Sequence, residues 1–109
     1  MVREFVMVSI FDKLWSDMGL SDEDLREFQN VLIKNPFAGS IIPETGGARK
    51  IRFALPGKGK SGGLRVMYFD ATHLQKIYLI ICYPKGKQDD LTPEQKKQVK
   101  KIIETLKGV

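Results

Sequence analysis

Six positively charged side chains lie between Thr45 and Phe69, in a stretch that contains no acidic residue. They are Arg49, Lys50, Arg52, Lys58, Lys60 and Arg65. The segment thus carries +6 whereas the whole chain carries +5, because residues 1–44 hold 4 basic and 8 acidic side chains and residues 70–109 hold 8 and 5. Concentrated positive charge attracts polyanions, and phosphate backbones are the commonest such target. We therefore predict a phosphate-binding site in this segment.

The spacing of these cations predicts how a sheet would arrange them. Residues 49–55 alternate between apolar and basic or small side chains, which is typical of a strand, so Lys50 and Arg52 share one face roughly 7 Å apart. If residues 64–69 form the neighbouring strand, Arg65 joins the same surface. A single basic pair usually only protects a sheet edge from aggregation. Six cations without an acid favour phosphate binding instead.

Two other kinds of chemistry are less well supported by the residues. Residues 54–61 match a relaxed phosphate-loop pattern, but that motif requires a helix directly after it, and here Gly62-Gly63 and a strand-forming run follow. We interpret this run as a basic hairpin loop. His73 is the only histidine and Cys82 the only cysteine, so no metal site, disulfide or cofactor is predicted. Cys82 lies in an apolar run, which predicts a buried, inert thiol.

The elements that position the cations can be predicted from periodicity and capping signals. Residues 3–10 indicate a first strand and residues 12–18 a short helix. Ser21 with Asp24 is a helix start, and Asn35-Pro36 stops that helix. Strands are expected at residues 49–55, 64–69 and 76–83, with a loop or short strand at 37–45. Thr92 to Gln95 form a capping box for a last helix.

This order of elements predicts one α+β domain that spans residues 1–109. We expect a mainly antiparallel twisted sheet of about four or five strands, packed against two N-terminal helices and one C-terminal helix. At 109 residues and 42% hydrophobic, the chain suffices for one core. No signal peptide and no apolar run of membrane-spanning length is present, so no membrane association and a cytoplasmic location are predicted.

Five motifs together resemble the RelE/HigB-like toxins of bacterial toxin–antitoxin systems. They are residues 20–29 (LSDEDLREFQ), 35–39 (NPFAG), 43–52 (PETGGARKIR), 57–68 (GKGKSGGLRVMY) and 81–92 (ICYPKGKQDDLT). The third and fourth in combination are the most specific. The resemblance implies a RelE-like fold and a metal-free, ribosome-dependent endonuclease that cleaves messenger RNA. It also implies a cognate antitoxin, often with a helix-turn-helix DNA-binding domain, besides the 70S ribosome and mRNA as partners.

The resemblance further implies roles for individual residues. The basic pair of the family corresponds to Lys50 and Arg52, its strand arginine to Arg65, and its basic residue after the last core strand to Lys85 or, as the alternative, Lys87. The remaining cations are expected to bind RNA, either the flanking message or ribosomal RNA: Arg49, Lys58, Lys60 and Lys87. A lysine crowded by like charges can release its proton more readily, so Lys50 is also the hypothetical proton carrier.

The chain departs from its relatives in two respects, and two other functions remain open. Some relatives carry a C-terminal tyrosine that acts on the attacking hydroxyl, but residues 89–92 contain none, so the proton acceptor is unassigned. The chain has Lys85-Gly86-Lys87 where many relatives have Lys-Asn-Glu. The resemblance therefore does not define a detailed role for Lys87. The alternatives are a ParE-like inhibitor of DNA gyrase with the same fold, and a module that binds RNA or the ribosome without catalysis.

Overall fold

The helices begin and end at local signals in the sequence. A computed structural model of the protein describes residues 3–54, 63–86 and 90–109. The capping box at Ser21 has both of its hydrogen bonds, and so has the box at Thr92. Each box satisfies backbone N–H groups that have no partner within the helix. The helices are α1 (Ser9–Asp17), α2 (Asp22–Lys34) and α3 (Pro93–Lys107), and a short 3₁₀ turn spans Thr72–Leu74.

Five strands form one mostly antiparallel sheet, which confirms the predicted α+β class. They are β1 (Glu4–Met7), β2 (Ser40–Ile41), β3 (Arg49–Phe53), β4 (Leu64–Ala71) and β5 (Lys76–Pro84). Their order across the sheet is β1-β5-β4-β3-β2. The pairs β2–β3, β3–β4 and β4–β5 are antiparallel, whereas β1 lies parallel to β5. The short β2 agrees with the expected loop or short strand at 37–45.

The predicted first strand was too long. The sequence indicated a strand over residues 3–10, but β1 ends at Met7 and α1 already begins at Ser9. A run of bulky apolar residues satisfies a strand pattern and a buried helix pattern equally well, so alternation alone could not place this boundary. The helix is favoured because Phe11 and Trp15 then lie one turn apart and stack in the core, with ring centroids 5.5 Å apart.

The sheet is covered on both faces. On one face, the apolar sides of α1 and α2 pack with Val66, Tyr68 and Leu79 in one core cluster. On the other face, α3 contributes Val99 and Ile103 to a second cluster. Because residues i and i+2 of a strand share a face, β4 supplies alternate side chains to the two clusters. Every basic side chain of the central strands therefore faces either the α1–α2 layer or the α3 layer.

Cys82 lies in the core between these layers, as the sequence predicted. Its side chain is buried on β5, and this burial raises the pKa of the thiol from 9.0 to about 12. The folded state therefore keeps a proton that the unfolded chain loses above pH 9. It follows that the contribution of Cys82 to the free energy of unfolding decreases as the pH rises from 9 towards 12.

We expect Cys82 to be protected from thiol reagents as long as the protein is folded. At pH 8 a thiol with a pKa of about 12 is ionised to only about one part in ten thousand, and burial also blocks access. Labelling with iodoacetamide at increasing urea concentrations should follow the unfolding curve measured by circular dichroism. Rapid labelling in the absence of urea would contradict this placement.

Among the described ranges 3–54, 63–86 and 90–109, no helix is both long and apolar enough to cross a membrane.

Candidate functional site

Four of the predicted site residues lie on one face of the sheet, the face that α3 partly covers. Lys50 and Arg52 are separated by one residue on β3, and Arg52 lies directly opposite Arg65 of β4. Tyr83 of β5 lies opposite Arg65 in turn. Residues in register across an antiparallel pair project from the same side. Lys85 extends this arrangement, two residues after Tyr83 on the same chain.

The position of Lys85 follows from the end of the β4–β5 ladder. The last regular pair joins Leu64 to Pro84, and beyond it the backbone N–H of Lys85 donates to the carbonyl oxygen of Gly63 at 3.0 Å. Alternation then places the Lys85 side chain on the same face as Arg65, two pairs along. Arg52 and Lys85 are exposed, whereas Lys50 and Arg65 are half-buried. The structure thus places on one face of the sheet all four residues that the sequence predicted as catalytic.

The opposed pair of Arg52 and Arg65 is electrostatically unfavourable in the protein alone. Like charges directly opposite each other across two strands destabilise the pairing. In the described part of the chain, no carboxylate forms an ion pair with either guanidinium. Within the same residues, the Nε of Arg65 is buried and has no hydrogen-bond partner. Such a group is costly for folding, so it fits a site for an anion better than a structural contact.

Lys50 is held by a contact that the sequence did not reveal. Its Nζ lies 3.7 Å from Oδ1 of Asp90, two residues before Thr92, the N-cap of α3. The same oxygen of Asp90 accepts a hydrogen bond from the backbone N–H of Leu91 at 2.8 Å, and Leu91 is buried. The residues before α3 therefore lie beside β3, and this contact, which is long and partly exposed, contributes little to stability. Lys50 is accordingly not surrounded by cations alone, which was the premise for its role as proton carrier.

Arg49 lies on the opposite face of the sheet from the other cations. It pairs in register with Tyr68, which belongs to the α1–α2 side. Its Nη1 donates to the carbonyl oxygen of Gly39 at 2.7 Å, and its guanidinium lies 5.2 Å from the centroid of the exposed Phe37 ring. These contacts fix the segment before β2 to β3. The structure does not bring Arg49 together with Lys50, Arg52 and Arg65.

Tyr68 of β4 binds the same segment, the residues before β2, through its hydroxyl group. Its hydroxyl is buried, donates to the carbonyl oxygen of Pro36 at 2.8 Å and accepts from the backbone N–H of Gly39 at 3.0 Å. Burial is the main cause that raises the pKa of Tyr68, so the phenol stays neutral and can donate. The bonds from Tyr68 and Arg49 thus attach the motif at residues 35–39 to β4 and β3. The sequence gives no local signal for the bonds of Tyr68, because they join residues about 30 positions apart in the chain.

The glycine pair in the motif at residues 43–52 forms a turn against α3. Gly46 and Gly47 have φ values of 84° and 119°, which side chains disfavour. Thr45 is buried and closes the turn, because its hydroxyl donates to Ile42 O at 2.7 Å and accepts from the N–H of Ala48 at 3.1 Å. The turn delivers the chain into β3 in the register that places Lys50 and Arg52 on the α3 face.

Three predicted RNA contacts, Lys58, Lys60 and Lys87, lie outside the described residues. Within residues 3–54, 63–86 and 90–109, no three histidine, cysteine, aspartate or glutamate side chains form a group that could hold a metal ion. The imidazole of His73 is 3.2 Å from the carbonyl oxygen of Leu106, at the end of α3. The predicted site residues that the structure describes are all lysines or arginines, and His73 is not among them.

A comparison with protein families gives a match over nearly the whole chain. The family model described as the RelE toxin of the RelE/RelB toxin–antitoxin system matches residues 6–109. This range includes all five strands except the first two residues of β1, and all three helices. It also contains the four cations on the α3 face. A RelE toxin inhibits translation and is paired with an antitoxin in a toxin–antitoxin system.

Proposed function

The chain belongs to the RelE toxin family, and from this premise we propose that it is an endoribonuclease that cuts messenger RNA on the ribosome. The observation that supports this function best is the arrangement of Lys50, Arg52, Arg65 and Lys85 on one face of the sheet. Four cations that share a face, with Arg52 opposite Arg65, form a site for a phosphate group that carries additional negative charge. Phosphoryl transfer produces that charge at the transition state.

The proposed reaction is an internal transfer within the RNA. The 2′-oxygen attacks the adjacent phosphorus and loses its proton, while the bond from phosphorus to the 5′-oxygen breaks and that oxygen takes up a proton. The products are a 2′,3′-cyclic phosphate and a 5′-hydroxyl. Because attack requires the 2′-oxygen and the leaving oxygen in line, groups that fix the orientation of the phosphate accelerate the step.

Each cation has a proposed role that follows from its position. Arg65, whose buried Nε has no partner among the described residues, donates to a non-bridging phosphate oxygen. Arg52 lies opposite and neutralises the same group. Lys85, exposed at the end of the ladder, is proposed to stabilise the leaving oxygen. Lys50 remains the proposed proton carrier, with the carboxylate of Asp90 as a neighbour that can orient its ammonium group.

The cations outside the group of four are proposed to bind RNA or to support the sheet. Lys58, Lys60 and Lys87 are proposed to contact flanking RNA, whereas for Arg49 the contacts favour support of β3 over direct RNA binding. The proposed partners are the 70S ribosome with mRNA in its decoding site and an antitoxin that carries a helix-turn-helix domain. No metal or other cofactor is proposed, and the proposed location is the bacterial cytoplasm.

Translation of a defined message with purified protein tests this function. Primer extension should detect cuts within codons that require ribosomes and continue in the presence of EDTA concentrations that leave ribosomes intact. Cuts in naked RNA at the same positions would remove the ribosome from the mechanism. No cuts, with inhibited DNA supercoiling by gyrase, would indicate the ParE-like function. Ribosome binding without cuts would indicate a binding module.

A further inference from the structure

A basic groove lies next to the candidate site, between the turn before β3 and the start of α3. It has a volume of about 460 Å³, and its walls come from the turn, the residues before α3 and the first turns of the helix. The lining residues are Glu44, Leu91, Pro93, Lys96, Lys97 and Lys100. Three of the six are lysines, and one is acidic. The groove is therefore strongly positive at its helical wall.

The groove lies next to Lys50, one of the four cations of the candidate site. Leu91 lines it, and the preceding residue, Asp90, contacts Lys50 at 3.7 Å. Leu91 is buried, which fixes this wall to the sheet. The helix that carries the three lysines packs on the same face of the sheet that carries Lys50 and Arg52. A polyanion bound at the cations can therefore continue into the groove without crossing to another face.

The lysines of the groove repel one another, and this repulsion lowers the stability of α3. Lys96 and Lys100 are four residues apart, and Lys97 and Lys100 are three apart, so their side chains lie roughly 5–6 Å from each other at Cβ. Like charges at these spacings destabilise a helix by about 0.2–0.5 kcal/mol per pair. In the described part of the chain, none of the three forms an ion pair. Lys96 is half-buried, which fits an aliphatic stem that packs along the wall while its ammonium group stays accessible.

We propose that this groove binds the RNA strand that leaves the candidate site, with successive phosphates at Lys96, Lys97 and Lys100. The inference rests on the proposed function, since it extends the path of the RNA cut there. A repeating phosphate backbone matches a row of cations that continues from a phosphate site. Glu44, at the opposite wall, can accept a hydrogen bond from a ribose hydroxyl or a base amino group.

Binding of short and long RNA oligonucleotides separates the groove from the candidate site. Fully 2′-O-methylated oligonucleotides of four and twelve nucleotides cannot be cut, because the attacking hydroxyl is blocked. The groove variant is Lys96→Gln/Lys97→Gln/Lys100→Gln. The matched control is Lys34→Gln/Lys101→Gln/Lys107→Gln, which removes the same charge from exposed positions that do not line the groove.

The groove variant should bind the twelve-nucleotide probe at least about tenfold more weakly than the wild type and the four-nucleotide probe almost unchanged, because three phosphate contacts are lost only in the long probe. On a single strand each phosphate contact contributes about 0.7 to the slope of log affinity against log salt. The loss of three contacts should therefore reduce the magnitude of this slope by about 2 for the long probe. The control variant should keep the wild-type difference between the two probes.

Equal binding of the long probe by the groove variant and the control would overturn the inference. So would a groove variant that binds RNA normally but no longer binds the antitoxin, because the groove would then receive an acidic protein segment. The translation assay keeps the two proposals apart. Absence of cuts by the wild-type protein contradicts the proposed function, whereas cuts together with unchanged long-probe binding contradict the groove alone.

Discussion

The variant Lys50→Ala/Arg65→Ala should lose ribosome-dependent cleavage by at least about a thousandfold, while it stays folded. Removal of one preorganised donor to a developing negative charge typically costs about 10²–10³ in rate, and this variant removes two cations from one phosphate site. Folding should be little affected. Arg65 faces a like charge on β3 and has a buried Nε with no partner in the described residues, so its removal relieves an unfavourable arrangement.

Single-turnover cleavage on programmed ribosomes, followed by primer extension, measures this loss. The matched control is Lys34→Ala/Lys101→Ala, which removes two positive charges from exposed positions away from the site. Thermal unfolding of both variants shows whether the fold is intact. Cleavage by the Lys50→Ala/Arg65→Ala variant at the rate of the control would show that these cations do not act on the scissile phosphate.

Substitution of Gly39 by alanine should destabilise the protein by about 3 kcal/mol, through overpacking and the loss of buried hydrogen bonds. A Cβ at this position would lie 2.8 Å from the carbonyl oxygen of Lys50 and 3.0 Å from Cε1 of Tyr68. The first contact is with the backbone of β3, so the strand itself must move. The bonds from Gly39 to the Tyr68 hydroxyl and to Arg49 are strained by the same shift.

Urea unfolding monitored by circular dichroism gives the change in the free energy of unfolding. Gly19→Ala is the informative control, because Gly19 has a φ of 73° but open space around its missing Cβ. There the cost is conformational only, about 1–2 kcal/mol. If Gly39→Ala is no more destabilising than Gly19→Ala, the close approach to β3 is not a constraint. Because β3 carries Lys50 and Arg52, Gly39→Ala should also reduce cleavage.

The local signals in the sequence predicted most of the fold. The capping boxes at Ser21 and Thr92 gave the starts of α2 and α3, because caps depend on residues three positions apart. Alternation gave the central strands and their faces. The boundary between β1 and α1 could not be predicted in the same way, because the packing of Phe11 and Trp15 against distant strands decides it.

The same distinction applies to the candidate site. Alternation within β3, with the assumed pairing to β4, placed Lys50, Arg52 and Arg65 on one surface, and the register agrees. The contact between Lys50 and Asp90 could not be predicted, because it joins residues that meet only after α3 packs on the sheet. The stacking of Arg49 on Phe37 was missed for the same reason, since both residues look like surface positions in the sequence.

The parallel pairing of β1 with β5 has a consequence for how the protein is made. Glu4 pairs with Lys76 and Met7 with Leu79, so the first strand synthesised must wait for the last. At about 5–20 residues per second, β1 and the apolar faces of α1 and α2 remain without their sheet for several seconds. The antiparallel pairing of β4 and β5 is local and can form first. Since the four cations belong to the segments from β3 to Lys85, the candidate site is assembled only when most of the chain has emerged. In this order of folding, the four cations share one face only after β5 has paired with β4.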